Sequence, residues 1–97
     1  MALDLMFSNS VLDIVKTMLD FYRMTKSPPK LATVLKSKNV GDFSCGYFSG
    51  MVMGLGITKF QERYKRKPTE KEQQEIMEII GTQLEAINRV FQKFDAK

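Results

Sequence analysis

The chain has no histidine, no tryptophan and a single cysteine. Without histidine it lacks the commonest general base and the commonest metal ligand. One cysteine excludes an intrachain disulfide and cannot alone build a zinc or iron–sulfur site. Cys45 has no imidazole to activate it and sits among apolar residues, so it reads as a structural thiol. No enzymatic activity, cofactor or metal is therefore expected. The opening MALDLMFSNS carries Asp4 where a secretory signal would carry basic residues, and no long apolar run follows. Together with the lone thiol, this predicts a reducing, cytoplasmic setting.

The most consequential absence is of charge. Residues 43–58, FSCGYFSGMVMGLGIT, pass sixteen positions without a charged side chain. A membrane span needs about 20 apolar residues, and Asp42 and Lys59 close this run at both ends, so no membrane helix is expected. The run also lacks GxGxxG and any lysine placed as in a phosphate-binding loop. Within it, Gly46, Gly50 and Gly54 recur every four residues, with Gly56 just beyond. On a helix such positions stack into one bare ridge. Each internal glycine costs about 1 kcal/mol of helix propensity against alanine. The spacing therefore predicts a second backbone pressed into the ridge. Bulky residues point in the other directions, so the segment reads as a helix buried on several sides.

What is present elsewhere is helical punctuation. Phe7, Val11, Ile14, Val15, Met18, Leu19 and Tyr22 recur with the 3.6-residue period, with Phe21 a weaker member. They predict a helix over about 7–25, capped by Ser8, Asn9 or Ser10; the preceding residues lengthen it or fray. Pro28 and Pro29 stop it. A short helix over 30–38 follows, with Leu31, Val34 and Leu35 facing inward, before Asn39-Val40-Gly41 breaks it. The central helix is expected over about 43–66, with Asp42 or Ser44 as cap. Thr69-Glu70-Lys71-Glu72 is a capping box opening a long helix over 70–94. Its inward stripe is Ile76, Ile80, Leu84, Ile87, Phe91 and Phe94, widened by Met77, Ile79 and Val90. Gly81 interrupts it and suggests another close backbone approach.

One all-α domain over residues 1–97 follows: a small bundle of three long helices and one short one. Two strongly apolar segments exceed what so small a core hides, so a symmetric homodimer is expected. Gly46, Gly50, Gly54 and Gly81, with Phe48 and Met51 beside them, are the candidate packing and dimer residues. The ridge would meet its own mate, or Gly81 of the partner subunit. The resulting expectation is a non-catalytic protein–protein interaction or assembly module; another protein is a further candidate partner.

Charge supplies the competing reading. The net charge of +4 is concentrated in residues 59–67, KFQERYKRK, which hold five basic side chains and one acidic. Lys59, Arg63, Lys65, Arg66 and Lys67, with Tyr64 stacking, could contact nucleic-acid phosphates. They equally suit the negative end of a helix. Glu72, Glu75, Glu78 and Glu85 read as the wet side of their helix, with no histidine partner for acid–base work. A hydrophobic ligand among Tyr47, Met51, Met53 and Phe60 is a lesser alternative.

Overall fold

A computed structural model describes residues 3–25, 29–30, 34–36 and 38–94. Among them the chain is all-helical, without strands, and four helices build the bundle: α1 (Leu5–Met24), α2 (Val40–Tyr64), α3 (Glu70–Gly81) and α4 (Leu84–Gln92). Among the described residues no helix is long and apolar enough to cross a membrane.

Asp4 starts α1, its Oδ1 accepting the Phe7 N–H at 2.8 Å. The opening thus lengthens the helix, and Ser8, Asn9 and Ser10 lie inside it instead of capping it. Residues 31–33 and 37 of the helix expected over 30–38, Leu31 among them, lie outside the described residues. Val34 and Leu35, expected to face inward, are 71% and 59% exposed.

Helix α2 begins earlier than its acidic residue suggests. Asn39 is the N-cap without a side-chain capping bond to a backbone N–H, and its side-chain amide donates instead to Asp42 Oδ2 at 3.0 Å. Asp42 sits in the first turn, where its charge suits the positive helix end. Gly41, read as part of a break, is buried within that turn. At the other end Lys65 takes a left-handed φ of 60° and donates its N–H to Gln61 O, closing the helix.

The long helix expected over 70–94 is two helices. Thr82 Oγ1 donates to Ile79 O at 2.6 Å, and the Thr82 and Gln83 amides donate to Ile79 O and Ile80 O in a tightened turn. The inward stripe is interrupted across it. Leu84, expected in the core stripe, is 53% exposed, and Met77 just before the break is 54% exposed. The core resumes with Ile87, Val90 and Phe91.

In effect α1, α2 and the broken rod α3–α4 form a three-rod bundle, with α2 packed against all three other helices. α1 contributes Phe7, Val11, Val15 and Leu19, one residue per turn; Phe21 points outward instead. α2 contributes Ser44, Phe48, Val52, Gly56 and Phe60, again four apart. Aromatic rings fill both ends. Phe48 packs with Tyr22 and Phe91, and Phe60 with Phe7 and Tyr64.

Candidate functional site: an uncharged groove and a tied-down basic end

The core stripe of α2 decides where its glycines go. Gly50 lies two residues from both Phe48 and Val52, and two residues turn a helix by about 200°. The ridge therefore faces away from the core: Gly46, Gly50 and Gly54 are exposed, and a Cβ added at any of them would meet nothing within 4 Å. Among the described residues no backbone fills the ridge, so the close helix approach expected there is not made. Gly56, off the ridge by two residues, is buried and packed against. A Cβ there would lie 3.0 Å from Ile76 Cγ2.

At the edge of the ridge the fold leaves an apolar groove of about 350 Å³ between α2 and the α3–α4 rod. It is lined by Ser49, Gly50, Met53, Met77, Ile80, Gly81, Leu84 and Ile87, none of them charged. Gly50 and Gly81, singled out separately from the sequence, thus share one concavity. They do so without close contact, since a Cβ at Gly81 would also find nothing within 4 Å. Periodicity assigns Met77 and Leu84 to the core, and no local signal marks them as groove residues. Phe48 is fully buried in its own chain, while Met51 packs partly buried against the core. The four residues considered for a hydrophobic ligand are dispersed: Met53 lines the groove, Phe60 is in the core and Tyr47 stacks on Phe43.

The basic end of α2 is largely committed to holding the bundle together. Arg63 Nε donates to Asp4 Oδ2 at 2.9 Å, and Tyr64 Oη donates to the same oxygen. The Tyr64 and Phe7 hydrogen bonds, with Arg63, lower the Asp4 pKa to about 2. Arg66 lies over the Phe60 ring and grips Glu72 through both carboxylate oxygens, at 2.7 and 2.8 Å. Glu72 is only 5% exposed, so the wet-side reading fails for it. Its Oε1 also accepts the Thr69 N–H at 2.9 Å, while Thr69 Oγ1 accepts the Glu72 N–H, completing the capping box. Arg66 first, then Thr69, lower the Glu72 pKa to about 2. Lys59 approaches Glu62 at 3.8 Å. Of the basic run, Lys65 and Lys67 make no ion pair among the described residues. Compared with family models, curated proteins and solved structures, the chain finds no match in any of the three.

Proposed function

We propose that this chain is a non-catalytic assembly module that pairs with a second copy of itself across the outer face of α2 and the adjoining groove. The observation that carries this reading is the groove's composition: an apolar concavity bordered by half-exposed Met77 and Leu84, with no charged residue in its lining. In a two-fold contact, residues near the axis meet their own copies. A charge there would face a like charge, so an uncharged lining suits self-association better than it suits a charged partner. The bare ridge beside it lets a second helix approach closely, and i, i+4 ridges of two helices interlock at a crossing angle of about −50°.

A nucleic-acid role for residues 59–67 draws less support, because Arg63, Tyr64 and Arg66 already hold Asp4 and Glu72.

Light scattering after size exclusion tests the reading. A concentration-dependent dimer is expected, and Gly50→Leu should elute as a monomer with an unchanged helical spectrum, since its side chain enters open space within the chain. A monomer at all concentrations, or a Gly50→Leu dimer of undiminished affinity, would refute it.

A further inference from the structure

Away from the groove, the last turn of α1 and the end of α4 border an open concavity of about 360 Å³ lined by Arg23, Ala86, Arg89, Val90 and Lys93. Among the described residues, three cations line it from segments more than sixty residues apart, and no acidic residue does. Lys93 has a distinct part in it. Its ammonium donates to Tyr22 O at 2.7 Å and Thr25 O at 2.8 Å, at the carboxyl end of α1. Those carbonyls would otherwise repel an anion, so Lys93 cancels the unfavourable helix end. The two guanidiniums are then left to bind. Arg23 gives Nη1 to Asp20 at 2.7 Å, and Arg89 Nη2 lies 3.7 Å from Glu85, a contact too long for a hydrogen bond. Each guanidinium carries five N–H groups, so most remain available. Both side chains are more than half exposed.

We infer that this concavity is a binding site for a phosphate monoester. Planar guanidinium forks match phosphate oxygens two at a time. The small apolar floor of Ala86 and Val90 takes the organic group attached to the phosphate.

Amide NMR of the whole chain, titrated with inorganic phosphate and with phenyl phosphate against chloride at matched ionic strength, tests the site. Saturable shifts confined to residues 23, 86, 89, 90 and 93 are expected, with phenyl phosphate binding more tightly. Arg89→Gln removes one fork from a solvated position and should weaken phenyl phosphate about tenfold, the worth of one charged hydrogen bond. Lys65→Gln should leave the affinity as it was. Shifts that rise linearly without saturating, shifts equally large at Lys65 and Lys67, or an Arg89→Gln protein that binds as before would overturn the assignment. Equal affinity for the two phosphates would overturn the role given to the apolar floor.

Discussion

Gly54 and Gly56 stand two residues apart on α2, yet their surroundings have almost nothing in common. Gly56 is buried against Ile76 and Val11, and its missing side chain lets three helices meet. Gly54 is exposed, with no neighbour where a Cβ would be. Gly46 and Gly50 share that openness. None of the described glycines has a positive φ, so smallness, not backbone freedom, distinguishes them. The inner glycine has an evident purpose within the chain. The outer three lower helix propensity without a compensating contact among the described residues, and that asymmetry favours a second copy.

The largest effect should come from filling the inner position. Gly56→Leu would drive a side chain into Ile76, which is fully buried and has little room to move. Overpacking should cost about 3 kcal/mol of stability, read by urea denaturation. A Gly56→Leu protein with native stability would erase the contrast between the two faces.

Acid should come next, and should act on the inner side alone. Asp4 and Glu72 both have pKa values lowered to about 2 in the fold. In the unfolded chain such carboxyls titrate near 4. The unfolded chain therefore takes up protons first, and the stabilisation, complete above pH of about 4, is lost as pH falls towards 2. Thermal melts should drop across that window, and Asp4→Asn with Glu72→Gln should flatten the drop. Residues 43–58 hold no carboxylate, so self-association through the outer face should hold steady from about pH 7 to 5. Association that fails within that range would place charged groups at the contact and break the comparison.

Much of the fold was legible because it is written locally. The four-residue steps of Phe7, Val11, Val15 and Leu19 describe one helix face, and Thr69 with Glu72 announces a helix start three residues wide. The orientation of α2 was not legible. Its glycines and its core residues both repeat every four positions, and apolar residues occur on all sides, so periodicity alone cannot say which ridge is inside. The ties of Asp4 to Arg63 and Tyr64 span about sixty residues and leave no local trace. Arg66 and Glu72 are close in sequence, but each separately resembles a solvated helix residue. The break after Gly81 depends on Thr82 bonding back to Ile79, which a tolerated glycine does not foretell. Of the candidate site, Gly50 and Gly81 were visible, whereas Met77 and Leu84 were hidden by the assumption of an unbroken stripe.

A smaller effect is expected from the buried hydroxyl on the inner face. Ser44 is fully buried and its Oγ has no hydrogen-bond partner among the described residues. Leaving such a group unpaired is unfavourable, so Ser44→Ala should stabilise the chain by about 1 kcal/mol in urea denaturation. A loss of stability would mean that the hydroxyl is satisfied in solution and that the inner face is less dry than its packing implies.

The smallest change is also the most discriminating, because its sign differs between two readouts. Gly54→Ala adds a methyl group where nothing lies within 4 Å, so one copy alone should gain about 0.5–1 kcal/mol from helix propensity. Measured at protein concentrations too low for pairing, the variant should therefore be the more stable. If the outer face meets a second copy, the same methyl group separates two backbones, and light scattering should show weaker association. A gain in stability with no loss of association would leave Gly54 outside the contact and confine the interface to the groove around Gly50 and Gly81. A loss of stability in the isolated chain would contradict the open surroundings from which the outer face was defined.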